Sequence, residues 1–384
     1  MVAMVTHPPA KENITVSYHL PTLCFYLPCV LLFMLLIVYV ERKMAAFIQG
    51  RLGPREVGYR GVLQSIADLL KLLQKEIIIP QQAHATLFVL APAWIFVAVM
   101  LGFTVLPVHS SWLGAPSCTG VLLLLGILSL KVMGVLLAGY ASNNKFARLG
   151  ALRSIAQYLS YEIPLGLSVL CVIVVTHTFN LGEIASQQGL PVYQIDGITG
   201  IHSYLLGIKG CEVTSYGGFL TWNICRMPTL MIAYVIFLIS TLAMSQVAPF
   251  DLAEAESELL AGYHVEYGGI YFAWMMLGEY ALLFLMNLLG VILFLGGWNT
   301  PLPNVGCLQA AVYTNGYPAT WGGIIWSCLW LFGKALVITL CQLWLKWTMP
   351  RLRIDQLMKL CWLYLLPLGL LTLLLTIWWQ WLLL

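Results

Sequence analysis

Charge is what this chain has least of. Only 9% of its 384 residues are Asp, Glu, Lys or Arg, against roughly 25% in soluble domains. That shortage excludes an ordinary water-exposed globule. The ten cysteines include no Cys-x-x-Cys pair, so they indicate neither a disulfide framework nor a metal site. His84, His109, His177, His202 and His264 are scattered, and no His/Cys cluster suggests a metal or haem. There is no Gly-x-Gly-x-x-Gly after a strand and no Walker loop, which excludes the common nucleotide sites. There is also no internal repeat, no low-complexity tract and no linker. The chain therefore has no evident redox centre of its own. No cofactor is expected to be bound by it alone, and no nucleic-acid partner is expected.

What fills the chain is apolar sequence. Hydrophobic residues make up 60% of it. A bilayer-spanning helix needs about 20 apolar residues. Eight stretches qualify: about 21–41, 85–107, 119–141, 160–178, 226–244, 270–295, 322–345 and 360–383. The expected fold is an all-α integral membrane protein, residues 1–384 forming one membrane domain. The first run is longer than the ~7–15 residues of a signal-peptide core, and Glu41-Arg42-Lys43 follows it, so it reads as an uncleaved span.

The few charges are unevenly placed. Fourteen of the 19 basic residues lie in the segments after spans one, three and seven. With eight spans these segments share one side, together with the acidic segment 245–268. The positive-inside rule makes that side cytoplasmic and leaves both termini outside. After span one, Val62 to Gln74 reads as an amphipathic helix on that side. Leu63, Ile66, Leu70 and Leu73 form its apolar face, and Asp68 stands three residues from Lys71 as a natural pair. Cys24, Cys29, Cys171, Cys328, Cys341 and Cys361 fall in spans as apolar filler. Cys118, Cys211 and Cys307 fall outside, where one bridge among them is open. The outer connection 179–225 is long and polar, and is expected to be functional or docked on a partner.

Residues 249–266 hold Asp251, Glu254, Glu256, Glu258 and Glu266 with no Lys or Arg. Carboxylates gathered between membrane spans need a partner, water or a proton. Glu254 and Glu258 are four apart on one helical face, where repulsion raises carboxyl pKa values. A solvated acidic face docking onto basic loops explains the spacing equally well. Glu279 sits inside span six, and Glu162 sits at the start of span four. Each reads as a proton-relay station or one half of a buried pair. Lys131 and Lys334 are intramembrane cations and possible partners. Lys334 is expected at about the depth of Glu279. Arg42, Arg51, Arg153, Arg351 and Arg353 stand near inner span ends, as topology determinants or as the lining of a mouth.

Four blocks carry a resemblance. They are Glu41-Arg-Lys through Gln49-x-Arg51-x-Gly-Pro54 into Leu63-Gln-x-Ile-Ala-Asp68-x-Leu-Lys71; Ala141-Ser-Asn-Asn-Lys-Phe-Ala through Gly150-Ala-Leu-Arg153 to Ser160-Tyr-Glu162; Pro249-Phe-Asp-Leu-Ala-Glu-Ala-Glu-Ser-Glu-Leu through Glu266-Tyr to Glu279-Tyr; and Pro350-Arg-x-Arg-x-Asp-Gln-Leu-Met358. In these the chain resembles the H subunit of proton-pumping NADH-quinone oxidoreductase (respiratory complex I), the counterpart of mitochondrial NADH dehydrogenase subunit 1. Membrane-bound hydrogenases share parts of the third block and look less similar elsewhere.

The resemblance implies a membrane subunit that forms a quinone chamber and links quinone reduction to proton translocation. Quinone would be the substrate. Arg42, Arg51, Asp68 and Arg351 would line the chamber. Glu162, Glu254 and Glu279 would form the proton path. Asp251, Glu256, Glu258 and Glu266 would lie on the coupling loop. Partners would be iron–sulfur quinone-module subunits, small membrane subunits, antiporter-like subunits and lipid, in a bacterial inner membrane. Typical members carry a Glu and an Arg where this chain has Met244 and Val247. An equivalent subunit of a ferredoxin- or deazaflavin-linked relative is the nearest alternative. A stand-alone proton-coupled carrier would be expected to show repeats, which this chain lacks.

Overall fold

A computed structural model describes residues 16–109, 119–189, 204–209, 217–252, 259–304, 310, 314 and 321–383. Each predicted span coincides with a helix. The order is α1 (Val16–Ile48), α2 (Gln64–Gln74), α3 (Ala85–Phe103), α4 (Gly120–Ala141) and α5 (Lys145–Thr176). Two short helices follow, α6 (Leu181–Ser186) and α7 (Asn223–Arg226). Between them a small antiparallel hairpin pairs β1 (Tyr204–Leu205) with β2 (Ile208–Lys209), the only strands among the described residues. Then come α8 (Pro228–Met244), α9 (Gly269–Phe294) and α10 (Trp321–Thr348). The last span is α11 (Ile354–Lys359), a π turn (Leu360–Leu365) and α12 (Leu366–Leu383) in succession.

The chain is an all-α, multi-pass membrane protein. Among the described residues seven helices are long and apolar enough to cross a membrane. The eighth predicted span is α8, whose 17 residues reach about 26 Å at 1.5 Å per residue, short of a ~30 Å hydrocarbon core. The fourth span begins well before its predicted start, at Lys145. Asn144 caps it, its side chain accepting from Phe146 N at 3.0 Å. Arg148, Arg153 and Gln157 lower the hydropathy of these first turns without breaking the helix.

α9 is the central helix. Its apolar window is 89% buried, against 28% for α1 and α10. Small residues let neighbours close in, as they do between membrane helices generally. A Cβ on Gly139 of α4 would collide with the Ala151 side chain of α5.

Contacts across the bundle bring the basic and acidic segments to one end. Glu41 meets Lys346, Asn144 meets Glu266, and Asp251 meets Arg351. α2 forms at the predicted place, yet it turns the other way. Leu63, Ile66, Leu70 and Leu73 are exposed, while Ser65, Asp68, Leu69 and Leu72 face a cavity. Asp68 pairs with Arg42 and Gln64 rather than with Lys71. The reason is tertiary: Arg42 on α1 reaches across a partly apolar gap to the face of α2 that carries Asp68. The described parts of the connection after α5 are packed rather than loose, joined to the end of α9 through Gln188 and Asn299. Glu254, Glu256, Glu258, Cys118, Cys211 and Cys307 lie outside the described residues. The described cysteines are free thiols, Cys171 and Cys361 buried and Cys24 and Cys341 on the bundle surface.

Candidate functional site

A cavity of about 300 Å³ opens at the basic end between α1, α2 and α9. Met34, Leu69, Phe272 and Met276 supply apolar wall, and Arg42, Arg51, Asp68 and Glu41 supply charge. A mostly apolar concavity with a few directed polar groups is the form of a small-molecule site. Arg42 and Asp68 touch each other at its rim, and Gln64 Nε2 donates to the other Asp68 oxygen at 3.0 Å. The Arg42 side chain is 45% exposed, so this pair is worth under about 1 kcal/mol to stability. Its use is to place charge. Ser65 Oγ and Trp347 Nε1 also belong to the wall, and both are buried without a hydrogen-bond partner among the described residues. Each is a donor available to a ligand oxygen.

Behind the rim the charges become buried. Glu41 takes the Lys346 ammonium on one oxygen at 2.6 Å and the Tyr280 hydroxyl on the other at 2.7 Å. One residue before Tyr280 stands Glu279. Its Oε1 accepts from the Tyr263 hydroxyl and lies 3.1 Å from His264 Nε2. Tyr263 and His264 come from a 3-10 turn, Gly262–His264. That turn can approach only because α5 has Gly150 beneath it, where a Cβ would meet Gly262 Cα at 2.7 Å. The Tyr263 hydroxyl is also 3.2 Å from Gln246 Oε1, but it has a single proton to give. Rotating the Gln246 amide turns its buried, unbonded Nε2 to the hydroxyl and closes the donor count.

Asp251 lies between these two groups. Arg351 donates to it at 2.6 Å, and Leu352 N bonds Pro249 O, which pins the segments together. Burial pushes the Asp251 carboxyl above its ordinary range. Arg351 pulls it down, the Glu279 charge pushes it up, and Lys346 pulls it down. Asp251 is therefore within electrostatic reach of both the Glu41–Lys346 pair and Glu279. The result is an unbroken series of acidic and basic side chains from the cavity to the His264–Glu279 pair.

Residues 21–377 match the NADH dehydrogenase family. The chain belongs to the NADH dehydrogenase family. It is 50% identical over 348 residues to a Cytophaga hutchinsonii protein, the second H subunit of NADH-quinone oxidoreductase in that organism, covering 90% of this chain and 94% of that one. It is 42% identical over 342 residues to the NADH-quinone oxidoreductase H subunits of Chlorobaculum parvum and of Chlorobaculum tepidum, covering 89% of this chain and 86% of each relative.

In this NADH dehydrogenase family chain three of the four expected chamber residues, Arg42, Arg51 and Asp68, share the cavity wall. The fourth, Arg351, holds Asp251 instead. Glu266 accepts from Asn144 Nδ2 at 2.8 Å and ties its loop to the start of α5. Glu162 is half-buried on α5 and makes no hydrogen bond or ion pair with the described residues. Lys131 is buried on α4, its ammonium 5.2 Å from the centre of the Tyr158 ring. Lys334 is not level with Glu279. It bonds the carbonyls of Leu295, Gly297 and Asn299 at the far end of α9. Leu295 is sixteen residues beyond Glu279, about 24 Å at 1.5 Å per residue. Counting from helix ends failed because α9 and α10 are offset along their axes. Met244 and Val247 are both buried in the apolar core, so neither charge of the usual pair has a counterpart there.

Sequence reasoning passed over Glu41, Lys346, Tyr280, Tyr263, His264, Ser65 and Trp347 as site residues. Tyr280 adjoins Glu279, and Glu41 adjoins Arg42, which was a usable signal. Tyr263 and His264 had none, because a turn between spans carries no periodicity.

Proposed function

We propose that this chain is the membrane subunit of a proton-pumping NADH:quinone oxidoreductase of the complex I type. The cavity beside α2 takes the quinone headgroup, and the buried carboxylates behind it couple quinone reduction to proton movement. The observation that carries this reading is the series Asp68–Arg42, Glu41–Lys346, Asp251–Arg351 and Glu279–His264, which begins in the wall of an apolar cavity.

Reducing a quinone to quinol adds electrons and protons to its two carbonyl oxygens. In this proposal the electrons come from an iron–sulfur cluster of a neighbouring subunit, and NADH is oxidised elsewhere in the complex. This chain supplies position and protons. Trp347 Nε1 and Ser65 Oγ orient a carbonyl oxygen. Arg42 and Asp68 set the field at the rim. When the quinone's charge changes, Glu41, Lys346 and Asp251 feel it and shift the protonation of Glu279. Tyr263 and His264 hold the Glu279 carboxyl in one orientation for that exchange. Without a carboxylate at Met244, proton exchange of Glu279 runs through Asp251 and the 253–258 segment. Partners are the iron–sulfur quinone-module subunits, small membrane subunits and antiporter-like subunits, in a bacterial inner membrane with both termini outside.

Asp68→Asn tests the reading in the assembled complex. Quinone reduction should fall while donor oxidation by an artificial acceptor stays unchanged. Equal loss of both activities would mean misassembly and would remove the cavity from the mechanism.

A further inference from the structure

A row of polar side chains continues past the cavity into the membrane. On α10 it comprises Lys346, Gln342, Thr339 and Lys334, spaced three to five residues apart on one face. Opposite, on α9, stands Asn287. Its Nδ2 donates to Thr339 Oγ1 at 2.9 Å and to Gln342 Oε1 at 2.6 Å. The Thr339 hydroxyl in turn donates to Ala335 O at 2.7 Å. The residues Asn287, Thr339 and Gln342 are all buried, none more than 2% exposed.

Polar glue between membrane helices is common, but it is normally complete. Here it is not. Asn287 Oδ1 and Gln342 Nε2 are buried and have no hydrogen-bond partner among the described residues. One is an acceptor and the other a donor, on side chains already bonded to each other. Leaving two such atoms dry costs about 1–3 kcal/mol each. A single water that donates to Oδ1 and accepts from Nε2 satisfies both, and two to four polar partners is what a buried water requires. Between Lys346 and Gln342 the helical rise is about 6 Å, a gap that one or two waters close.

The row ends differently. Lys334 Nζ commits its three protons to Leu295 O at 2.7 Å, Gly297 O at 3.0 Å and Asn299 O at 2.6 Å. The face of Trp222 covers it at 4.3 Å. Nothing is left for Lys334 to pass on. It is a fixed positive charge, and fixed cations in narrow polar passages raise the electrostatic barrier to protons.

We propose that Asn287 and Gln342 hold a water in a polar seam between α9 and α10, and that Lys334 closes this seam electrostatically against proton leak. The seam depends on the proposed function only in that protons must reach the Glu41–Lys346 pair.

The test uses the whole complex in sealed lipid vesicles with no electron donor present. A pH step is applied outside, and proton entry is read with a trapped pH dye. Lys334→Met should raise passive proton permeability several-fold, and Lys334→Arg should leave it low. Adding Asn287→Leu and Gln342→Leu to Lys334→Met should restore tightness. Lys334→Met vesicles as tight as the wild type would overturn the proposal. Should that variant not assemble, thiol access decides. With Cys24 and Cys341 replaced by Ser, a small neutral thiosulfonate should label Gln342→Cys, which faces the seam, and spare Leu343→Cys, which is buried beside it. An unreactive thiol at 342 would equally overturn it. Passive leak needs no turnover, so a failed quinone reading would show in quinone reduction alone.

Discussion

The two ends of α9 bury polarity in opposite ways. At the basic end Glu279, Glu41, Lys346, Asp251, Arg351 and His264 meet in pairs, and most of these groups can change protonation. At the far end the buried polar atoms are amides, carbonyls and one lysine. Gln188 alone accepts from Asn223 N and Gly296 N and donates to Ile184 O and Ile292 O, all between 2.9 and 3.0 Å. Asn223 and Asn299 add bonds to Leu293 O and Ala185 O. The contrast teaches what each end is suited for. Neutral amides satisfy the end of a helix permanently, because they cannot exchange protons. Paired carboxylates cost more to bury, and that cost varies with protonation. An end built of them responds to a change of charge nearby.

The sharpest way to break the comparison is Glu279→Gln. It keeps the shape and the bonds to Tyr263 and His264 but removes the titration. Most proton pumping in reconstituted vesicles should disappear while the complex still assembles, and normal pumping would refute the role. Gln188→Leu should strike the other end. It orphans two buried N–H groups and should cost on the order of 3 kcal/mol in stability, read as a lower melting temperature that is independent of pH. A pH-dependent loss would show that the far end also titrates. Trp347→Phe keeps the cavity wall and removes its donor. We expect KM for quinone to rise a few-fold with little change in kcat, and an unchanged KM would take Trp347 out of quinone binding.

The smallest effect concerns Asp251. Its folded pKa lies above the ordinary value, with burial the first cause. A raised carboxyl favours the fold while protonated, and this contribution is lost as pH rises through the folded pKa. Relative to Asp251→Asn, the wild type should therefore lose stability slightly from acidic to neutral pH. A difference that grows more favourable to the wild type with rising pH would mean that Arg351 outweighs burial.

Legibility followed the same division. The eight hydrophobic stretches were readable because a bilayer demands length and apolarity from each segment separately. Arg42, Arg51 and Asp68 were found through motif blocks, and the cavity does collect them. The face of α2 was misjudged. Its apolar residues were assigned inward by periodicity, yet Asp68 faces the cavity and Leu70 lies exposed. A helix between a membrane boundary and a cavity has two environments to satisfy, and periodicity describes only one. Lys334 was misplaced by depth counting for a related reason: residue counts measure position along one helix, not the offset between two.

By itself, then, the sequence determined the membrane, the number of apolar stretches, the clustering of basic and acidic segments at one end, and the family. Each follows from composition, or from residues close together along the chain. Only the tertiary structure decided which charges pair. Glu41 meets Lys346, and Glu279 meets His264 over a turn that Gly150 admits. In a low-dielectric interior a charge is stable only beside its partner, and that partner is chosen by how helices distant in sequence cross.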